Sequence, residues 1–355
     1  MRGKVKQAVI LAGGEGTRLR PLTTTRPKPL LPVLGVPCIE YVITSLAQAG
    51  VEQIFLACGY RSEDVSRVLG NGERFGVDIE LAYEKEPMGT AGAVKLLQDR
   101  LKGTFVVGSG DTLTDADLGA LIDFHVRKGA EATMGLTEVD RPEQFGIVGV
   151  AADGRIERFK EKPRTEEVFS HVINAGTYVL EREVLDLIPA GQKYDFSKNL
   201  YMDMLQRGRG LYAEPLRGYW KDIGRPSDLL QANIDMAARR GVRTERGPVA
   251  GDVPAGASVE GPVFFGKGVI ASGSNVRKSV IGPGCVIGKC TSLEGCLLLS
   301  DVIIGEGAAM RDCVIGEGCQ SGSGVVLSNC VLGDGAKVAP GTIADSLSVE
   351  AGTSV

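Results

Sequence analysis

From the start of the chain to about residue 240, short apolar runs alternate with stretches of helical period. The runs Ala8 to Leu11, Ile54 to Ala57 and Phe105 to Val107 are wholly apolar and Ile79 to Ala82 is interrupted only by Glu80, so all four read as parallel strands covered on both faces. Helical patterns lie between them. Ile39 to Ala49, Arg61 to Leu69 and Ala91 to Leu101 each run up to a glycine, Gly50, Gly70 and Gly103, placed to stop a helix. This alternation predicts an α/β domain over residues 1–240, with a Rossmann-like, mostly parallel sheet.

Beyond Gly251 the helical period disappears, and glycine, valine, isoleucine and cysteine recur in short units with few charges. Ile281, Ile287 and Leu293 are six residues apart, as are Ile304 and Met310, and Val326, Leu332 and Val338. Several of the aliphatic positions are followed at once by glycine (Gly282, Gly288, Gly305, Gly316, Gly333), which suits a short flat strand, an inward side chain and a tight corner. The pattern resembles the hexapeptide repeat of the left-handed parallel β-helix. One such rung cannot hide its own aliphatic row, so successive turns must stack into a solenoid over 251–355. The register slips near Gly295 to Ser300, near Gly318 to Gly324 and before Val276, which reads as loops or irregular corners. Residues 239–249 lack an apolar face, and a linker is expected at 241–250.

Composition adds exclusions. The 355 residues are 43% hydrophobic and 24% charged with a net charge of −4, so no whole-protein field favours nucleic acid or a membrane, and any anion site must be local. No apolar run approaches the roughly 20 residues that span a bilayer, and the start of the chain leads into a strand rather than a secretory signal, which points to the cytoplasm. The eight cysteines form no C-x-x-C pair and are expected as free thiols. Only His125 and His171 are present, and both read as packing or surface residues.

The sharpest local signal follows the first strand: Leu11-Ala12-Gly13-Gly14-Glu15-Gly16-Thr17-Arg18-Leu19-Arg20-Pro21-Leu22. Glycines let backbone N–H groups approach phosphate oxygens closely. The loop is not a P-loop, lacking G-K-[ST], and it lacks the third glycine of the dinucleotide fingerprint. Four basic residues, Arg18, Arg20, Arg26 and Lys28, cluster beside it in a mildly acidic chain. With the continuation Lys28-Pro29-Leu30-Leu31-Pro32-Val33, the string resembles the signature of the sugar-1-phosphate nucleotidyltransferases, and the β-helix behind it matches the branch containing the mannose-1-phosphate guanylyltransferases.

The resemblance implies a set of roles. Leu11, Gly13 and Gly14 would line the nucleotide, Arg18 would steady the triphosphate, and Lys28 would contact phosphate near the reacting centre. Asp111, just past a parallel strand, and Asp222, in Trp220-Lys221-Asp222-Ile223-Gly224, look like the family's two ligands for Mg²⁺; alone, each would read as a cap or turn former. In Glu161-Lys162-Pro163 the lysine would bind the sugar phosphate and the glutamate the sugar hydroxyls, with Gly146 and Asn174 completing the sugar pocket. A Cβ at 146 would intrude on a sugar ring lying against the backbone.

The segment Glu84 to Gly92, with Gly89 and Thr90, resembles the family's base-binding element. An ionised carboxylate only accepts hydrogen bonds, which suits the adjacent N1–H and N2–H₂ donors of guanine, so Glu84 favours GTP. The expected reaction joins GMP from GTP to mannose 1-phosphate with release of pyrophosphate. Uridylyl or thymidylyl transfer to glucose 1-phosphate is the alternative within enzymes, and a catalytically inactive regulatory subunit the alternative outside them. An acetyltransferase role for the solenoid is disfavoured because no histidine follows His171. The solenoid is expected to be structural and to support a homo-oligomer.

Overall fold

The computed structural model describes residues 5–59, 61–84, 86–239, 256–260 and 268–355, so the linker expected at 241–250 lies outside the described residues. The chain forms two compact units. One comprises residues up to Gly14 together with Ile39–Trp220; the other comprises Glu15–Cys38 together with Lys221 onward. Residues 15–38 and 221–239, which periodicity places with the sheet, thus group by contact with the solenoid.

The first unit is built on a nine-stranded mixed sheet. Its main path runs through Ile156–Glu161, Gly146–Val150, Val172–Glu181, Thr104–Ser109, Gln7–Leu11, Gln53–Cys58 and Asp78–Tyr83, and Ala132–Glu138 and Leu211–Pro215 pair off that path. The four strands that carry these runs are parallel neighbours. Val172–Glu181 runs antiparallel to Thr104–Ser109 and begins the half of the sheet that holds the antiparallel pairs. Asp78–Tyr83 is an edge strand with Leu81 and Tyr83 exposed, so it is not covered on both faces as its apolar run suggests. The helices Cys38–Gln48 and Ser62–Leu69 match the expected spans, and the second is capped by Gly70. The third is shorter, Gly89–Lys95, and gives way to turns before Gly103.

Phe55, Phe105, Val9, Val107 and Tyr201 lie in one buried cluster under the sheet. Each large side chain of this kind removed from water contributes about 1.5–3 kcal/mol, which fixes the strand ends that carry the polar residues.

The second unit contains a left-handed β-helix with three parallel sheets. Val276 pairs with Leu293 and Leu293 with Met310, so one coil is 17 residues. The inward positions run Ile281, Ile287, Leu293, Leu298, Ile304, Met310, Ile315, in two steps of six and one of five. The five-residue step explains the slip near Gly295. The slip near Gly318 has another cause, the buried polar Ser321 in an inward position. Val326 is outward and 39% exposed, and its neighbour Leu327 holds the inward position, so the triplet 326, 332 and 338 mixes faces.

The glycines that follow inward aliphatics are required by close approach. A Cβ on Gly305 would lie 2.4 Å from the Gly322 carbonyl carbon of the next coil, and one on Gly288 would lie 2.6 Å from the Glu306 nitrogen. Helix Pro226–Arg239 packs on one solenoid face, against strands Val280–Ile281 and Val314–Ile315. Its Asn233 accepts from Leu34 N–H at 2.8 Å and donates to Pro32 carbonyl oxygen at 3.3 Å, tying the hairpin at the end of segment 15–38 to the helix.

Candidate active site

Along one edge of the mixed sheet, neighbouring strand ends form a row of chemistry-bearing residues. Glu161 pairs with Gly146 across antiparallel strands, and the pairing of Ile147 with Ile173 sets Gly146 beside Asn174. A Cβ on Gly176 would touch Ser109 at 3.8 Å, and Gly110 N–H donates to Leu11 at 2.9 Å. Ala12 N–H donates to Ala57, and Glu84 N–H to Cys58, carrying the row to the far strand. The parallel strands end together on this edge, which is where open α/β sheets bind ligands. Seven strands on the path give six steps of about 4.8 Å, long enough to hold a nucleotide and a sugar phosphate side by side.

At the Glu161 end, burial pushes the carboxyl above its ordinary range, opposed by Lys162, Lys198 and the Ser197 hydroxyl. Asn174 donates to Tyr178 Oη at 2.9 Å and to Ser197 Oγ at 3.3 Å, while its oxygen accepts from Gly176 N–H. The Trp220 indole donates to Ala175 carbonyl oxygen at 2.8 Å and packs edge-on to Phe145. Lys162 is exposed and held at φ 46, and its N–H donates to Phe145. A left-handed conformation is costly for a residue with a side chain and concentrates at functional sites. A Cβ on Gly146 would come within 2.6 Å of Phe159 and 2.8 Å of the Glu161 carboxylate, so the protein itself demands glycine there, independently of any sugar ring.

In the middle of the row Ser109 donates its hydroxyl to the Asp111 carboxylate. Among the described residues nothing lies within 4 Å of a Cβ on Gly14, so no packing among them calls for glycine at that position. At the far end, burial raises the Glu84 carboxyl above its ordinary range, against the Met88 N–H that donates to it at 3.3 Å. Gly89 and Thr90 are occupied within the protein. Thr90 donates its N–H and hydroxyl to Asp195 and accepts from Phe196 N–H, and a Cβ on Gly89 would meet Tyr194 carbonyl oxygen at 2.7 Å.

The second unit holds Arg18, Lys28 and Asp222. Lys28 is buried at the start of the turn Lys28–Leu30, with its ammonium 3.9 Å from the Asp222 carboxylate. A Cβ on Gly224 would lie 3.0 Å from Asp222 Oδ2 and 3.4 Å from both Arg18 Nη2 and Asp228 Oδ2, so two carboxylates and a guanidinium gather around that glycine. Gly16 has φ 64, which a residue with a Cβ would adopt only under strain, and its carbonyl accepts from Thr23 Oγ1.

Residues 7–239 match the family model for nucleotidyl transferases. The chain belongs to the nucleotidyl transferase family. Residues 259–352 match the model described as the GMPPB C-terminal domain. The resemblance drawn from the glycine loop and its K-P continuation is borne out.

Among the relatives of this nucleotidyl transferase, a mannose-1-phosphate guanylyltransferase of Mycobacterium tuberculosis is 34% identical over 83% of this chain and 80% of its own. A UTP–glucose-1-phosphate uridylyltransferase of Synechocystis is 35% identical over 79% of each chain. Among solved structures, a Bacillus anthracis protein provisionally assigned as a glucose-1-phosphate thymidylyltransferase, in complex with a sucrose, superposes with a TM-score of 0.61 and 29% identity, covering 68% of this chain and 97% of that one.

The nucleotidyl transferase also presents site residues that no motif marks. Ser197 and Lys198 face Glu161 from a π-helical turn, Phe196–Leu200, a geometry frequent at functional sites. The string Tyr194-Asp195-Phe196-Ser197-Lys198 has no clear period, which was the available signal. Asp228 joins the Arg18 and Asp222 group from the first turn of helix Pro226–Arg239. His125 is a core residue, held by Thr133 and Glu181 with its pKa lowered by burial, and His171 is exposed. No helix among the described residues is long and apolar enough to cross a membrane.

Proposed function

We propose that this chain transfers a nucleoside monophosphate from an NTP to a sugar 1-phosphate, with GTP and mannose 1-phosphate as the pair it uses. The observation that carries this reading is the row along the sheet edge, with half-buried carboxylates at its two ends and the glycine loop and Asp111 between them. In it Glu161, Gly146 and Asn174 orient the sugar, and Lys162 holds the attacking phosphate. The bare backbone at Gly13 and Gly14, beginning at Leu11, lets the triphosphate lie against the chain. Arg18 and Lys28 set their charges against it, and Glu84 accepts from the guanine edge. Gly89 and Thr90 act on the nucleotide indirectly, by locking segment 194–196 behind it.

A non-bridging oxygen of the sugar phosphate attacks the α-phosphorus as the bond to the β-phosphate oxygen breaks and pyrophosphate leaves, and the contribution of the side chains is alignment and neutralisation of charge rather than covalent catalysis. Asp111 and Asp222 offer carboxylate oxygens, the hard donors Mg²⁺ takes in ones and twos alongside substrate phosphates. No group of three or more His, Cys, Asp or Glu that could hold a metal ion on its own occurs among the described residues. When bound, Mg²⁺ supplies neutralisation of the charge that builds on the transferred phosphoryl group.

The near-equal identity to a uridylyltransferase supports a second reading, transfer of UMP to glucose 1-phosphate. Pyrophosphate release from a panel of NTPs against several sugar 1-phosphates separates the two. GTP with mannose 1-phosphate is expected to give the highest kcat/KM, and no release from any pair would leave only a regulatory role. A cytoplasmic setting and self-association through the solenoid belong to the same proposal, and sedimentation of the purified chain tests the latter.

A further inference from the structure

Arg26 stands two residues before Lys28, in the basic cluster beside the glycine loop. Its guanidinium is spoken for. Nη2 donates to Asp334 Oδ2 at 2.6 Å and to Glu317 Oε2 at 2.7 Å, and both acceptors sit on solenoid corners of adjacent coils. Thr25 donates its hydroxyl to the same Asp334 oxygen. The other Asp334 oxygen accepts from Glu317 N–H at 2.8 Å, so the acceptor is oriented by the neighbouring coil independently of Arg26. Burial opposes the charge on Arg26, and the two carboxylates outweigh it and raise its pKa. A Cβ on Gly333, beside Asp334, would lie 3.0 Å from Pro21 Cβ, so the loop meets the coil at a second point.

We infer that Glu317 and Asp334 are positioning residues for nucleotidyl transfer, acting through Arg26 to hold the loop that carries Arg18 and Lys28. Pro27 and Pro29 flank Lys28 and leave its backbone few alternatives, so fixing Arg26 fixes where the Lys28 ammonium lies relative to Asp222. Asn233 restrains the far end of the same segment, and its helix also rests on the solenoid. The solenoid is thereby the template on which the phosphate-handling loop is shaped, beyond any part in assembly. This inference rests on the proposed transferase reading, and its test has an arm that does not.

The test compares the full-length chain with Asp334→Asn, Glu317→Gln, the double variant, Arg26→Lys and Arg26→Met. Asparagine at 334 keeps an oxygen for Glu317 N–H while removing the charge. Small misplacements of reacting groups cost on the order of 10- to 100-fold in rate. The double variant is expected to lose kcat to about that extent and to raise KM for the NTP, with KM for the sugar phosphate and the melting temperature nearly unchanged. Arg26→Met should lose no more in the double-variant background than that background has already lost, and Arg26→Lys should recover part of the rate. Hydrogen exchange of amides 17–31 should accelerate in the same variants.

If the double variant keeps wild-type kcat and KM while Arg26→Met is inactive, Arg26 touches substrate directly and the inference is overturned. A loss of kcat matched by a loss of melting temperature, with no change in NTP KM, would make the contact merely structural. Should the wild-type chain release pyrophosphate from no substrate pair, the transferase reading fails, and unchanged hydrogen exchange in the double variant would separately overturn the docking.

Discussion

The Lys28 ammonium lies 3.9 Å from the Asp222 carboxylate, with the lysine side chain 9% exposed and the aspartate 29%. A cation so confined cannot exchange its carboxylate for water freely, and an incoming polyphosphate with its cation would redistribute both partners. Lys28→Met and Asp222→Asn are each expected to lower pyrophosphate release by about 100-fold or more. They should differ in one respect: Asp222→Asn raises the Mg²⁺ concentration needed for half-maximal rate and Lys28→Met does not. Identical Mg²⁺ titrations for the two variants would contradict the assignment.

Burial raises the Glu84 carboxyl, so the folded chain holds that proton more tightly than the unfolded one. The linked stability is therefore present at acid pH and is lost as pH rises from the ordinary carboxylate range through the raised value. Nucleotide recognition has the opposite sign, because guanine needs an ionised acceptor. KM for GTP should climb as pH falls through the raised value. Glu84→Gln should flatten that limb and move the kcat/KM preference toward UTP or dTTP by about 10-fold, equivalent to about 1.4 kcal/mol. An unaltered base preference would place recognition on the backbone.

Gly146→Ala inserts a methyl group 2.6 Å from Phe159 and 2.8 Å from the Glu161 carboxylate. Overpacking of this kind costs about 1–3 kcal/mol, and relief requires Glu161 to move away from Ser197 and Lys198. Thermal unfolding should report the loss, and KM for the sugar phosphate should rise while KM for the NTP stays level. An equal rise in both would point to general disorder of the sheet edge.

Seven of the eight cysteines are buried and Cys290 is exposed at a solenoid corner. Burial pushes the thiols of Cys285 and Cys319 up to about 11 and that of Cys58 to about 12, which leaves them protonated and slow. A thiol reagent should therefore titrate one group rapidly in the native protein and all of them in denaturant. Cys290→Ser should remove the rapid phase, and a second fast thiol would show local opening of the coil.

Much of this architecture is legible in the residues because its determinants are local. Gln7–Leu11 and Thr104–Ser109 announce themselves as parallel strands by composition, and the glycine loop carries a signature that needs no tertiary context. Arg26 shows the limit of such reading. Beside Lys28 it looks like one more phosphate ligand, and only partners about 300 positions later, Glu317 and Asp334, reveal its use. Gly146 is similar. Its glycine is explained by Phe159 and Glu161 on the adjoining antiparallel strand, a pairing that no periodicity within either strand encodes. The five-residue step of the solenoid was hidden because outward Val326 sits next to inward Leu327, and a search for sixes accepts either.

Each 17-residue coil hands its successor the same three corners, with left-handed residues recurring at Gly273, Cys290 and Gly307, at Gly284, Asp301 and Gly318, and at Lys278, Gly295 and Asp312. Removing or adding a few positions inside a strand would swap core for surface in every later turn, whereas excising one full turn leaves all faces aligned. The rod can therefore lengthen or shorten over evolutionary time only in whole-coil increments, much as a staircase changes height by complete treads.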